Sequence, residues 1–336
     1  MVGAGVRPRL TMPRYDEYDV ESYDRPRRHT RPRTKDRPSH ADAVEGHVVT
    51  VDRGRYTALV DGRTVTAMKS RPLGRKGVVV GDVVRLVGDV SGEEGSLARI
   101  VEVAERRTAL RRSADDVDPV ERVVVANAEQ LVVVAATADP EPQPRLIDRA
   151  LVAAYDAGLD PLLCVTKADL ADPETLLSTY RPLGVPHVVT ERGRDLAPVR
   201  ERLRGRVSVL LGSSGVGKST LVNALVPGSD RAIGHVNAVT GRGRHTSTSA
   251  LMLALPDGGW SVDTPGIRSF GLAHVRPAQL IGAFPDLDAL TGECPRGCTH
   301  GAGEPECGLD DAVLDGRTEP ERVDSFRRLL ASRDTA

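Results

Sequence analysis

The run Gly212-Ser213-Ser214-Gly215-Val216-Gly217-Lys218-Ser219 fits G-x-x-x-x-G-K-[ST] and constrains this chain more than any other segment. It lies between an apolar stretch of strand character, RVSVLL (206–211), and one of helix character, KSTLVNALV (218–226). A strand, a glycine-rich turn and a helix N-terminus in that order make a phosphate cradle. The glycines let backbone N–H groups close around phosphate oxygens, and the helix end adds partial positive charge. The pattern predicts that Gly212 through Thr220 hold the phosphates, that Lys218 reaches the β- and γ-phosphates, and that Ser219 ligates Mg²⁺. Only five of 46 basic residues are lysines: Lys35, Lys69, Lys76, Lys167 and Lys218. A lysine in the cradle thus departs from the arginine habit of the chain, as a site wanting a compact point charge requires.

Two further motifs choose between adenine and guanine. Asp263-Thr264-Pro265-Gly266 follows the apolar WSV and reads as D-x-x-G, in which the aspartate holds Mg²⁺ through water and the Gly266 N–H senses the γ-phosphate. Thr166-Lys167-Ala168-Asp169 ends the strand-like PLLCV and resembles the N-K-x-D guanine motif of GTPases. There Asp169 would accept two hydrogen bonds from guanine N1–H and N2–H₂, a donor pair adenine lacks, so ATP would leave a buried carboxylate unpaired. Lys167 would lay its stem along the base. In ordinary GTPases the phosphate loop precedes the guanine motif. Here the guanine motif comes first and D-x-x-G last, a circular permutation that puts the second switch at the join to the tail and nucleotide state in position to move that tail.

The remaining chain divides by composition. Residues 1–43 read as a disordered basic arm, because 1–40 hold five prolines and ten basic residues and almost nothing to bury. Residues 44–115 carry five short strand patterns (GHVVTV, RYTALV, RTVTAM, DVVRLV and LARIVEV) separated by turns, which fit an OB-like barrel or an SH3-like one. Residues 116–272 alternate strand and helix, as a covered parallel sheet requires. The formal charge of −1 hides an asymmetry: 23 basic against 17 acidic residues up to position 115, a net of +6, and 23 against 30 beyond it, a net of −7. The basic front, with Arg53, Arg55, Arg71, Arg75 and Lys76 in barrel turns, points to an anionic partner. No apolar run approaches the ~20 residues of a membrane span. No secretory h-region is visible at the N-terminus, so a reducing cytoplasm is expected.

Residues 273–336 form a tail of short helices around Cys294, Cys298, His300 and Cys307, spaced C-x₃-C-x-H-x₆-C. Three thiolates and one imidazole complete a tetrahedral structural Zn²⁺ site. The tail reads as poor in large apolar residues, so the metal is expected to supply core stability. Cys164 stands alone in an apolar strand and reads as core. Between phosphate loop and D-x-x-G, the run VTGRGRHTSTSA (239–250) reads as the first switch, with Thr246 or Thr248 completing the Mg²⁺ shell. Ile267 follows Gly266 where many GTPases orient water with glutamine. His245 is therefore the candidate water-orienting residue, with contact to a partner such as an RNA phosphate as the alternative.

Permuted motif order, a preceding barrel, the run GRGRHTST and the Cys/His cluster together resemble the RsgA family (YjeQ or EngC) over about residues 44–330. ERRTALRRS (105–113) and VANAEQ (125–130) add to the likeness. The resemblance implies a multidomain α/β protein: an N-terminal OB-fold that binds rRNA, a circularly permuted P-loop GTPase domain, and a C-terminal zinc-binding, mainly helical domain. It also implies a monomeric cytoplasmic GTPase using GTP/GDP, Mg²⁺ and one Zn²⁺. Its partners would be the 30S ribosomal subunit and 16S rRNA, with hydrolysis stimulated by the subunit late in maturation. The chain departs from the family at Thr166, where asparagine usually tethers the base loop to the phosphate loop, and at Thr190-Glu191-Arg192, where an S-A-K-like base cap is usual. Its cysteine spacing is one shorter before Cys298 and one longer after His300. Competing readings are a nucleic-acid-stimulated P-loop ATPase or nucleoside kinase, and a zinc-stabilised RNA-binding protein with a structural nucleotide site.

Overall fold

The computed structural model describes residues 40–52, 54–74, 77–112, 122–227, 250–264, 272 and 275–333. All five strand patterns of the front form strands: β1 (Val44–Asp52), β2 (Arg55–Val60), β3 (Arg63–Lys69), β4 (Val83–Gly88) and β5 (Ala98–Val103). Alternation decides which face is buried. In β3, for instance, Val65 and Ala67 are fully buried while Thr64 and Met68, on the opposite face, are exposed. The ring order β1-β2-β3-β5-β4-β1, with β3 and β5 parallel and the other pairs antiparallel, closes a five-stranded barrel. That arrangement favours the OB-like reading over the SH3-like one.

Two segments read only as family resemblance form a hairpin, β6 (Ala109–Arg112) with β7 (Arg122–Ala126). The hairpin spans the expected boundary at 115/116 and clamps the barrel. Gly81 (φ +87) lies so close to β7 that a Cβ there would sit 2.0 Å from the Ala126 carbonyl oxygen. The Asn127 side-chain amide donates to the Gly81 carbonyl at 2.9 Å. The fully buried Asp82 accepts two hydrogen bonds from Arg106, at 2.7 and 2.8 Å. The sequence lacked a signal for this joint because its strands are short and its pairing is long-range.

Beyond the hairpin come β8 (Gln130–Ala136), β9 (Asp160–Thr166), β10 (His187–Val189), β11 (Val207–Leu211), β12 (Leu251–Ala254) and β13 (Trp260–Asp263). They line up β10-β9-β8-β11-β13-β12, with all neighbours parallel except β12 and β13. Every residue of β8 is buried, as befits a central strand covered on both faces. Helices α1 (Pro144–Asp156), α2 (Glu174–Tyr180), α3 (Ala197–Leu203) and α4 (Lys218–Leu225) connect them. Strands β9 and β10 lie to one side of β8, and β11 and β13 to the other. The strand order therefore reverses between β8 and β11, and open α/β sheets bind ligands at the carboxyl ends of such a pair.

The tail contains α5 (Pro277–Ile281), α6 (Pro285–Asp288), α7 (Gly308–Leu314) and α8 (Pro320–Ser332). Here the structure corrects the expectation of a weak apolar core. Leu280, Phe284, Leu287, Leu309, Phe326 and Leu329 are all at most 2% exposed and share one cluster with Ala150, Leu151 and Ala154 of α1. At about 1.5–3 kcal/mol per buried side chain, this core rivals the metal as a source of stability. Phe284 stacks edge-on to Tyr155 at 4.9 Å and to Phe326 at 5.4 Å. Arg149 donates to the Ser332 carbonyl at 3.0 Å and Arg328 to Asp148 at 3.2 Å. Moving the whole tail on nucleotide exchange, as the motif order invites, would expose Phe284, Phe326 and Leu329.

Candidate functional site

The carboxyl ends of β9 and β10 and the phosphate loop that follows β11 surround a cleft of about 620 Å³. It is lined by Thr166, Lys167 and Asp169 after β9, by Thr190 to Arg194 after β10, and by Gly215, Gly217 and Thr220 of the phosphate loop and α4. Motifs 50 residues apart in the chain are thus brought to one place. Gly217 (φ +92) turns the chain into α4, a left-handed conformation that favours glycine. Gly212 has no room for a side chain, since a Cβ would meet the Val134 carbonyl oxygen at 2.5 Å and Val216 at 2.9 Å. Ser213 is half-buried, and Ser214, Ser219 and Thr220 are exposed, open to a ligand in the cradle. These features fit a bound triphosphate.

Lys218 donates to Asp263 at 2.5 Å, so the first motif and the last meet directly. Both groups lie where phosphate and Mg²⁺ would each take one of them as partner. Next to this pair the buried Thr264 hydroxyl donates to the Leu210 carbonyl at 3.1 Å, locking the end of β13 to β11. Gly266, Ile267, His245, Thr246 and Thr248 lie outside the described residues.

At the base end the structure revises two expectations. Thr166 keeps the tether that asparagine usually provides: its hydroxyl, in a residue 6% exposed, lies 2.6 Å from the Val216 carbonyl oxygen of the phosphate loop. A β-branched hydroxyl suffices because Val216 comes within reach of the strand end itself. Asp169, expected to be buried, is exposed on the rim. A base landing on it, rather than the protein alone, would desolvate it. Lys167 (φ +56) directs its ammonium to the Asp139 carbonyl, and the intervening Ala168 N–H donates to the Thr190 carbonyl at 3.4 Å. Sequence reasoning missed the apolar walls, Leu170 and Leu196. The available signal in the sequence was a leucine directly after the guanine motif, which the structure leaves 54% exposed.

The second cluster lies in the tail. Cys294, Cys298 and Cys307 place their Sγ atoms 3.6, 3.5 and 3.9 Å from His300 Nδ1, and all four ligand atoms lie within 4.8 Å of one another. A zinc tetrahedron with bonds of about 2.3 Å to sulfur and about 2.0 Å to nitrogen has edges of about 3.5–3.8 Å. The donor set fits that ion. Backbone N–H groups of Gly308 and His300 donate to Cys294 and Cys298 Sγ at 3.2 and 3.4 Å, a support that thiolates need. His300 and Cys307 are buried, and Arg327 ties the loop down by donating to the His300 carbonyl at 3.2 Å and bidentately to Asp310. Cys164 is fully buried, and burial pushes its thiol up to about 12, so it remains neutral core packing.

With phosphate, base and metal clusters in place, a model of the RsgA GTPase family matches residues 103–273, just over half of the chain. The chain belongs to the RsgA GTPase family. It is 43% identical over 251 residues to the small ribosomal subunit biogenesis GTPase RsgA of Pseudomonas aeruginosa, covering 72% of this chain and 73% of that protein. The crystal structure of YjeQ from Thermotoga maritima matches with a TM-score of 0.65 at 27% identity, over 88% of this chain and 99% of that one. YloQ, described as a circularly permuted GTPase, matches with a TM-score of 0.63 at 25% identity, over 89% and 98%. Membership explains the motif order as the permutation of an RsgA-type GTPase rather than a rearrangement peculiar to this chain. Among the described residues no helix is long and apolar enough to cross a membrane.

Proposed function

We propose that this chain hydrolyses GTP to GDP and phosphate while bound to the small ribosomal subunit, and that it acts in the late maturation of that subunit. The observation that carries the reading is the cleft in which the guanine motif and the phosphate loop converge, with Lys218 at the end of that loop paired to Asp263. Asp169 reads guanine N1–H and N2–H₂. Lys167 flanks the base, and Ala168 holds the loop's turn. The N–H groups of Gly212 to Thr220 cradle the phosphates, and Lys218 exchanges Asp263 for phosphate oxygens. Ser219 and Asp263 would hold Mg²⁺, with Thr246 completing its shell, and the ion would neutralise charge developing between the β- and γ-phosphates. His245 orients the attacking water, and Gly266 senses the γ-phosphate.

In this reading residues 44–115 are an rRNA-binding barrel, 116–272 the permuted GTPase domain and 273–336 the zinc domain, preceded by a basic arm (1–43). The protein works as a cytoplasmic monomer on 16S rRNA within the 30S subunit, with one structural Zn²⁺. The test is turnover of GTP against ATP, with and without 30S subunits. Slow GTP hydrolysis that 30S subunits accelerate, with ATP inert, supports the reading. Equal use of ATP, or turnover indifferent to the subunit, removes it.

A further inference from the structure

The barrel supplies a neighbour for the edge strand of the nucleotide sheet. One side of β1 pairs with β2 over His47–Asp52. The other side is divided: Val44–His47 pair with β4 and close the barrel, while Thr50 pairs with Leu251 of β12. The change of partner coincides with a register shift between Val48 and Thr50. Such an irregularity bends a strand and re-aims its side chains. Around it Val49 and Val51 pack against the nucleotide-sheet core, and Val51 also touches the barrel core.

The partner strand leads directly to the phosphate site. Leu251 stands opposite Asp263 in the β12–β13 ladder, and Asp263 carries the carboxylate that accepts from Lys218. Thr50, Leu251 and Asp263 form one cross-strand row, so about 9–10 Å separates the barrel backbone from that of the aspartate. The β1–β12 ladder is also the shortest between strands among the described residues, a single residue pair. Thr50 itself is buried with its hydroxyl lacking any partner, whereas buried hydroxyls are ordinarily satisfied. Elsewhere the barrel is clamped, by Asp82–Arg106 and by Gly81 against Ala126. Among the described residues, Thr50–Leu251 is thus the one strand pairing between the barrel and the nucleotide sheet.

We propose that the Thr50–Leu251 pairing is a positioning element for Asp263, through which RNA held on the barrel accelerates hydrolysis. The inference rests on the reading of the chain as a subunit-stimulated GTPase. Hydrogen exchange on the full chain, with Mg–GDP and with a Mg-bound non-hydrolysable GTP analogue, tests the physical link. Exchange at Thr50–Asp52 and at Leu251–Ala254 should change together, while Val44–His47, paired with β4, stay unchanged. A change in β12 alone, or in neither segment, overturns the inference. In the functional arm, Thr50→Pro should leave basal turnover within about twofold and subunit binding intact, and reduce stimulation by about fivefold or more. Thr50→Val, which conserves shape, should retain it. Stimulation unaltered in a folded Thr50→Pro variant removes this inference alone. Wild-type turnover indifferent to 30S subunits removes the underlying reading instead. If Thr50→Pro does not fold, the exchange comparison on the wild-type chain decides.

Discussion

The hydroxyl of Thr166 lies 2.6 Å from the carbonyl oxygen of Val216, fastening the candidate guanine motif after β9 to the candidate phosphate loop after β11. The two residues are 50 positions apart: Thr166 ends β9, and Val216 lies in the phosphate loop after β11. Their hydrogen bond makes one site of two motifs.

Removing that tether should weaken both nucleotides without changing their identity. Thr166→Ala leaves the Val216 carbonyl without its buried donor, at a cost of about 1.4 kcal/mol, or on the order of tenfold in affinity. Fluorescence titration should show GTP and GDP weakened alike, with ATP still excluded and Thr166→Ser near wild type. A loss of guanine preference in Thr166→Ala would contradict the assignment of specificity to Asp169.

Asp169→Asn should exchange the base rather than merely lose it. The amide offers a donor where guanine also offers donors, so GTP affinity should fall by roughly 10²-fold or more. Xanthosine triphosphate, which carries a carbonyl at that position, should gain affinity in the same variant. Competition binding with the two triphosphates measures the crossover.

The zinc assignment predicts one equivalent of metal per chain by elemental analysis, lost in Cys307→Ser and retained in Cys164→Ser. Because the tail is packed on α1 through Phe284 and Phe326, loss of metal should loosen it without unfolding the nucleotide sheet. At about 2–4 °C per kcal/mol for a chain of this size, Tm should drop by about 5 °C or more. Nucleotide affinity should remain within about threefold, the scale of a remote perturbation.

Asp148 gives the tail interface a pH signature. Burial pushes its carboxyl above the ordinary value of 3.8, against the opposing charge of Arg328. For an acid with a raised folded pKa, the native state holds the proton more tightly than the unfolded chain. Its contribution is greatest below 3.8 and declines as pH rises through the folded value. Asp286 behaves oppositely: hydrogen bonding from Arg322 holds it below 3.8, so its contribution is present above that value and lost on strong acidification. Asp148→Asn removes the first slope alone, so the Tm of this variant relative to wild type should rise between pH 4 and pH 7. A constant difference across that range would show that Asp148 does not titrate there.

Much of this was legible in the residues. β-Branched enrichment or alternation marked all five barrel strands, and apolar runs marked the parallel sheet, because those patterns follow from burial of one or both faces. Gly212 and Gly217 could be read because a phosphate loop leaves no space for a Cβ or needs a left-handed turn. The Cys/His spacing was enough to indicate the candidate metal cluster, since its four residues lie close in the chain. The hairpin of β6 and β7 was not legible, because its buried Asp82–Arg106 pair and Asn127–Gly81 bond join segments that only the fold brings together. The tail's apolar core was underestimated for the same reason: its leucines are scattered over short helices, and only packing on α1 unites them.

By itself, then, the sequence determined the candidate chemistry: which residues have the types and spacing to cradle phosphate, read guanine and bind zinc, all properties of local spacing. Only the tertiary structure decided that Thr166 replaces the usual asparagine as the tether, that Asp169 waits exposed on the rim, and that β1 is shared between barrel and nucleotide sheet. Each of these depends on the distance between atoms far apart in the chain, a quantity set by strand order and packing that no window of residues contains.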